Sequence, residues 1–371
     1  MSVQRYLATF APGFEGIIES LLMQTIPSAT GTEVSSGIVF FTFSGPTDEL
    51  AAAAFFNNVF LIVNEWKTAQ MPFDEMIRSV AKANRLASVA PSVAGLTGLS
   101  YRVRYSRENQ FCSIDKKMME AAEQYISRAT GLKADRFDPG LEFWYIIRRE
   151  GWSFFAIRLT KKPSTEKYLR QGELRPEIVQ LIVGLARVSA QDRVLLDPFA
   201  GYGSIPEQLA LVTAKLGTKD GHAVAGGNPA VIYASDLDAE RVTDLEARFT
   251  GNAAVTVGRC DALKLSHIAD SSVDLIVTDP PWGFWDDSAY SGDNSIEALY
   301  EKMLAEFARV LKSGARAVVL TGAKREFEEA VGKSAVFARC AVEAAPAGAA
   351  NTFRTDILVN GKKSAVFVLT R

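Results

Sequence analysis

The stretch Arg193-Val194-Leu195-Leu196-Asp197-Pro198-Phe199-Ala200-Gly201-Tyr202-Gly203 decides how the second half of this chain is read. A short apolar run ends in an aspartate, two glycines permit a tight turn, and a helical pattern follows over 205–216. A buried strand that passes through a glycine-rich turn into a helix opens a doubly wound α/β domain, whose ligands bind at the carboxyl ends of the strands. Working outward, a helix over 177–188 precedes this strand. After it come strand 231–236, helix 239–249, a short strand at 255–257 and strand 273–278. Such alternation implies a parallel sheet with helices on both faces.

The end of the chain breaks the pattern. Residues 317–321 read as a buried strand, and 357–360, Gly361 and 365–370 read as an antiparallel hairpin with Asn360-Gly361 in or beside its turn. A standard nicotinamide-binding domain would finish parallel. The glycine turn also lacks the G-K-[ST] ending of a phosphate loop and the full G-x-G-x-x-G, and an acidic Asp197 facing the pocket repels phosphate. The same charge suits a sulfonium cofactor that carries an ammonium group, S-adenosylmethionine. Asp236, 39 residues after Asp197 at the end of the second strand, is placed to accept from ribose hydroxyls, with Asp238 as the alternative; a helix N-cap role fits Asp238 better. Asp261 follows the third strand and is expected near the adenine amino group, or else in a surface turn. Phe199, Leu237 and Ala262 complete the expected cofactor set with Asp197, Gly201, Gly203, Asp236 and Asp261. Cys260 reads as a small packed residue rather than a nucleophile.

Downstream, Asp279-Pro280-Pro281-Trp282-Gly283 closes the strand over 273–278. An exocyclic base amine is a poor nucleophile because its lone pair is delocalised into the ring. A carboxylate and a neighbouring backbone carbonyl that accept its two N–H bonds favour attack on a methyl group. The two prolines preorganise those acceptors, and the aromatic residue offers a stacking face to an extruded base. Asp279, Pro280, Pro281 and Trp282 are therefore the expected catalytic residues. Trp285, Asp286 and Asp287 continue the loop, either as pocket wall or as solvated side chains. Methylation of a cytosine carbon would require a cysteine nucleophile, and no Pro-Cys pair occurs.

The bulk composition sets the bounds. A chain of 371 residues, 48% hydrophobic and 23% charged, can bury more than one core. A net charge of −2 argues against indiscriminate coating of nucleic acid, so RNA affinity needs a local basic region. Residues 99–175 hold 16 Lys or Arg against 10 Asp or Glu, an excess of six that leaves −8 for the rest. Three scattered cysteines and two histidines without C-x-x-C or paired spacing give no expectation of a disulfide framework or a metal site. The opening residues lack a signal-peptide pattern, and no apolar run approaches a membrane span. A soluble, cytoplasmic protein is expected.

The front half reads as strand 6–10, helix 16–25, strand 37–43 and an apolar helix from 47 to about 66. Then come helix 73–84, strand 101–105, helix 114–130 and two strands, 142–148 and 153–159, joined by Arg149-Glu150-Gly151. Residues 161–176 read as a linker.

On these motifs the chain resembles the THUMP-domain RNA methyltransferases, in particular the tRNA guanosine N2-methyltransferases. The resemblance rests on Pro12-Gly13-Phe14-Glu15, Tyr101-Arg102-Val103-Arg104, the paired strands at 143–159, Leu174-Arg175-Pro176-Glu177 and the two site turns. It implies a ferredoxin-like segment over 1–70, a THUMP-like RNA-binding domain over 71–162, a linker over 163–176 and a Rossmann-like class I methyltransferase domain over 177–371. It also implies S-adenosylmethionine as cofactor and a tRNA acceptor stem as substrate. Within the basic stretch, Arg102, Arg104, Lys116 and Lys117 are the expected RNA contacts.

Two features depart from that family. Trp282 stands where Tyr or Phe is usual, and the 217–229 loop is long. The first resembles the D-P-P-W of adenosine N6-methyltransferases. In those enzymes the acidic turn precedes the glycine turn, whereas here it follows by 82 residues. The alternatives are an rRNA or small-RNA guanosine methyltransferase, an adenosine N6-methyltransferase, and an RNA-binding subunit with a vestigial catalytic domain.

Overall fold

A computed structural model describes residues 3–67, 71–89, 100–160, 169–170, 172–219, 222–223, 230–283, 295–342, 353–359 and 361–371. Trp285, Asp286, Asp287, Asn360 and much of the 161–176 and 217–229 segments lie outside them. The chain divides into two compact units. One comprises residues 1–10 and 18–163, and the other 11–17 and 164–371.

The first unit is α+β. Its elements are β1 (Gln4–Thr9), α1 (Glu15–Thr25), β2 (Thr30–Ser35), β3 (Ile38–Phe43), β4 (Asn58–Trp66), α2 (Phe73–Ala83), α3 (Leu86–Val89), β5 (Ser100–Arg107), β6 (Gln110–Phe111), α4 (Lys116–Thr130), β7 (Lys133–Ala134), β8 (Leu141–Ile147) and β9 (Ser153–Arg158). They build one continuous sheet in the order β2-β3-β1-β4-β9-β8-β5-β6, with β7 paired to β5. The expected helix over 47–66 is absent. Thr47–Ala52 forms a short 3₁₀ turn, and the remainder becomes β4, a central strand between β1 and β9. Val59 to Val63 are buried on both faces of that strand, and an uninterrupted apolar run of this kind carries no periodicity to separate strand from helix. β2, whose residues are mostly exposed, was not anticipated either.

The second unit contains α5 (Pro176–Ala186), β10 (Val194–Asp197), α6 (Ser204–Leu216), β11 (Thr218–Lys219), β12 (His222–Ala223), β13 (Val231–Asp236), α7 (Ala239–Arg248), β14 (Val255–Arg259), β15 (Val273–Thr278), α8 (Ile296–Val310), β16 (Leu311–Thr321), α9 (Lys324–Lys333), α10 (Ala338–Val342), β17 (Arg354–Val359) and β18 (Lys362–Thr370). Seven strands run β14-β13-β10-β15-β16-β18-β17. The first five are parallel, and β18 lies antiparallel between β16 and β17. Local chemistry sets the ends of the helices. Pro176 starts α5 where its missing N–H costs nothing, and Asp238 and Ser295 cap α7 and α8 through their side chains. The chain leaves β10 in one direction, toward β13 and β14, and later returns on its other side through β15. The carboxyl ends of β10 and β15 therefore flank the switch point of the sheet.

Candidate active site

Asp197 ends β10 fully buried. Its Oδ1 accepts a 2.7 Å hydrogen bond from the Thr278 hydroxyl of β15 and one of 3.3 Å from the Phe199 N–H, while Oδ2 is buried with no partner among the described residues. Burial, against the pull of the Thr278 hydroxyl and the Phe199 N–H and with help from the charges of Asp279 and Asp236, pushes this carboxyl up to about 8. Three acidic residues from three strand ends thus converge at the switch point. A buried carboxylate oxygen without a donor is an expensive arrangement in isolation and a favourable one beside a cation.

The glycine turn is held by its own backbone and by Asp236. Gly203 N–H donates to Ala200 O at 2.8 Å, Ala200 N–H to Ser235 O at 2.9 Å, and Gly201 N–H to Asp236 Oδ2 at 3.0 Å. Asp236 Oδ1 accepts from the Asp238 N–H at 3.0 Å. Both Asp236 oxygens are engaged, each keeping a lone pair for a further donor. Asp238 is spent on capping α7 through the Glu240 N–H at 2.8 Å, in accord with the N-cap reading.

The two glycines separate in role. At Gly201 (φ 52°) an added Cβ would meet nothing within 4 Å. At Gly203 (φ 89°) it would lie 2.9 Å from Leu245 and 2.9 Å from Phe249. The missing side chain of Gly203 therefore serves the packing of the turn against α7, which leaves only its backbone to meet a ligand.

The other expected cofactor residues differ in exposure. The Phe199 side chain packs on the main core and Ala262 is buried, so these two offer a ligand backbone rather than side chain. Leu237 is 60% exposed beside Asp236. Asp261 is exposed and its Oδ1 binds the Leu263 N–H at 2.9 Å, the local turn that was its alternative reading. Burial raises the Cys260 thiol above its ordinary value, which leaves it a poor nucleophile.

The acidic turn follows β15 directly. Asp279 retains part of its surface, yet protein atoms crowd its carboxylate enough that desolvation pushes it up to about 7, partly offset by the Trp282 N–H. Trp282 Nε1 donates to Asp279 Oδ1 at 2.8 Å, and Tyr300 of α8 donates from its hydroxyl to Pro281 O at 2.8 Å. Neither tie was foreseen. The Asp–Trp pair was open to a spacing argument, whereas Tyr300 lies in a helix absent from the sequence reading.

In the first unit, the four expected RNA contacts fall into two sets. Tyr101 of β5 turns toward α4, where its hydroxyl donates to Glu123 O at 2.6 Å; Arg102 and Arg104 occupy the opposite face. There they surround Glu142, which accepts from Arg102 at 2.7 Å, Arg158 at 2.8 Å and the Trp144 indole at 3.1 Å, with Arg104 at 3.6 Å. Three cations face one carboxylate. The same face stacks Arg104 over Phe111, Arg158 over Trp144, Arg5 over Phe40 and Lys67 over Trp152, all within 6 Å of the ring centres. Lys116 and Lys117 stand exposed at the start of α4. No group of three or more metal-ligating side chains occurs among the described residues, and none of their helices is long and apolar enough to cross a membrane.

The parallel sheet with its reversed final hairpin, the glycine turn after β10 and the acidic turn after β15 define a class I methyltransferase fold. A family model described as the RMKL-like methyltransferase domain matches residues 163–349, and the chain belongs to that family. A tRNA (guanine(10)-N2)-dimethyltransferase of Methanothermobacter thermautotrophicus is 31% identical over 193 residues, 48% of this chain and 50% of that protein. The enzyme of the same name from Methanocaldococcus jannaschii is 30% identical over 156 residues, 41% of this chain and 38% of that protein. The chain thus spans half or less of the length of these curated relatives. The crystal structure of TrmN from Thermus thermophilus superposes with a TM-score of 0.74 at 22% identity, covering all of both chains, a likeness of fold.

Proposed function

We propose that this protein is a cytoplasmic RNA methyltransferase that uses S-adenosylmethionine to methylate the N2 amine of a guanosine in tRNA, with a THUMP-like first unit gripping the RNA. The observation that carries the reading is the pair of acids at adjacent strand ends, Asp197 with an orphaned buried oxygen and Asp279 in a rigid Pro-Pro-Trp turn.

S-adenosylmethionine supplies an electrophilic methyl group on a sulfonium centre. Asp197 Oδ2 suits its cationic end, Asp236 suits ribose hydroxyls through its spare lone pairs, and Gly201 leaves the turn open to close approach. Asp279 and a carbonyl of the turn would accept the two N–H bonds of the guanine amine and aim its lone pair at the methyl group, whose bond to sulfur would break as the bond to nitrogen forms, leaving a neutral thioether. The nitrogen then sheds a proton to Asp279, whose carboxyl, raised to about 7, is matched to that task near neutrality. The Trp282 ring offers a face to the extruded base. On the first unit, the Arg-over-aromatic face suits phosphates and unstacked bases together.

The resemblance drawn from the sequence implies the acceptor stem, whereas the curated relatives are named for guanine 10. Mass spectrometry of nucleosides and mapped fragments from unmodified tRNA treated with the protein tests both. N2-methylguanosine is expected. N6-methyladenosine would transfer the reading to the D-P-P-W class, and methylation confined to rRNA would overturn the substrate.

A further inference from the structure

The acidic turn is held by one hydrogen bond from α8 and by one within itself. Tyr300 is fully buried, and its hydroxyl lies 2.8 Å from Pro281 O and 2.8 Å from Thr321 Oγ1 on β16. The Ala323 N–H donates to that same Thr321 oxygen at 3.0 Å. A phenol has one hydrogen and a carbonyl has none, so the directions are fixed. Tyr300 donates to Pro281, Thr321 donates to Tyr300, and Ala323 donates to Thr321. Within the turn itself, the Trp282 indole N–H donates to Asp279 Oδ1 at 2.8 Å.

We propose that Tyr300, supported by Thr321, and Trp282 are positioning residues: Tyr300 ties the 279–282 turn to α8, Trp282 braces the turn internally, and together they set the geometry of the acceptors that meet the substrate amine. This rests on reading the site as an amine methyltransferase. It adds that the geometry of the turn is maintained by α8 and β16, elements that carry no part of the motif. Tyr300 and Thr321 are both 0% exposed, the Tyr300 ring meets the edge of Phe327 at 5.2 Å, and Pro281 keeps part of its surface. Removing the Tyr300 hydroxyl therefore leaves the buried Thr321 hydroxyl without this acceptor and unties the turn from α8.

The test is single-turnover methylation of unmodified tRNA by the full-length protein and by Tyr300→Phe, Thr321→Val and Trp282→Phe, with pH profiles and calorimetric titration of S-adenosylmethionine. Tyr300→Phe is expected to slow methyl transfer about ten- to a hundredfold, the cost of a misplaced reacting group, while affinity for S-adenosylmethionine stays within about twofold. Thr321→Val should fall in the same direction by less. Neither should move the pH midpoint. Trp282→Phe keeps an aromatic face but removes the donor that favours the ionised carboxylate, so its midpoint should move to higher pH.

Full turnover by Tyr300→Phe overturns the inference. Should that variant fail to fold, full turnover by Thr321→Val does so instead, as does an unmoved midpoint in Trp282→Phe for the indole arm. Active wild-type protein with indifferent variants refutes the positioning roles alone. Wild-type protein that methylates no RNA overturns the reading of the site together with them.

Discussion

At the scale of single residues, the site is governed by two carboxyls whose ordinary values near ~4 are raised by burial. Asp279 stands at about 7 in the free protein, and only its ionised form accepts both the N–H bond and the proton of the amine. kcat/KM should therefore rise with pH through about 7 and level off above it. Asp279→Ala should lower turnover on the order of 10²-fold with RNA affinity retained; normal single-turnover methylation would contradict the role. Asp197 stands at about 8, so it is largely protonated at neutral pH, and a cation at its orphaned oxygen must expel that proton. Affinity for S-adenosylmethionine should accordingly increase with pH up to about 8, and this dependence should vanish in Asp197→Asn. Calorimetry across pH, in buffers of different ionisation enthalpy, measures both the affinity and the proton. The sign for stability is the reverse. Both acids hold protons longer folded than unfolded, so the free protein loses stability as pH rises from about 4 through 8.

At the scale of elements, the glycine turn is shaped by the helix that follows β13 as much as by the strand that precedes the turn. Arg248 of α7 donates to Tyr202 O at 2.6 Å and pairs with Glu207 of α6 at 2.7 Å, while the guanidinium groups of Arg170 and Arg241 lie 4.8 and 3.9 Å from the centre of the Tyr202 ring. Gly203 packs against the same helix. Gly203→Ala should destabilise the second unit by about 1–3 kcal/mol through overpacking and a left-handed backbone. Gly201→Ala adds a methyl that meets nothing within 4 Å among the described residues and should cost about 1 kcal/mol from the backbone alone. Its larger effect should appear in affinity for the methyl donor. Denaturant melts and calorimetry on the pair check this; an equal loss of stability in both would refute the division of roles.

At the scale of the whole molecule, a chain of net charge −2 concentrates its basic residues in the stretch over 99–175. The fold gives these cations different work. Arg102 and Arg158 are tied to the buried carboxylate of Glu142, so Arg102→Ala should reduce both stability and RNA affinity. Lys117, and Lys116 with only a 3.7 Å pairing to Glu120, stand exposed. Lys116→Glu with Lys117→Glu should therefore leave the melting temperature nearly unchanged, weaken RNA binding and flatten its dependence on salt. An unaltered salt slope would show these lysines to be only solvated, and would leave the Arg-over-aromatic face as the RNA contact.

The sequence by itself determined the parts that depend on local pattern. The α/β alternation, the turns after β10 and β15, the capping of α7 by Asp238 and the reversed β17–β18 hairpin each leave a signal within a few residues. The identity of β4 did not, because a strand buried on both faces and a buried helix present the same unbroken apolar run. Only the tertiary structure decided which side chains meet. It turned Gly203 toward α7, closed three arginines around Glu142, tied Trp282 to Asp279 and brought Tyr300 under the catalytic turn. The reason is physical. A hydrogen bond between residues 19 positions apart, such as Tyr300 to Pro281, depends on how a helix packs against a sheet, and no local periodicity encodes that packing.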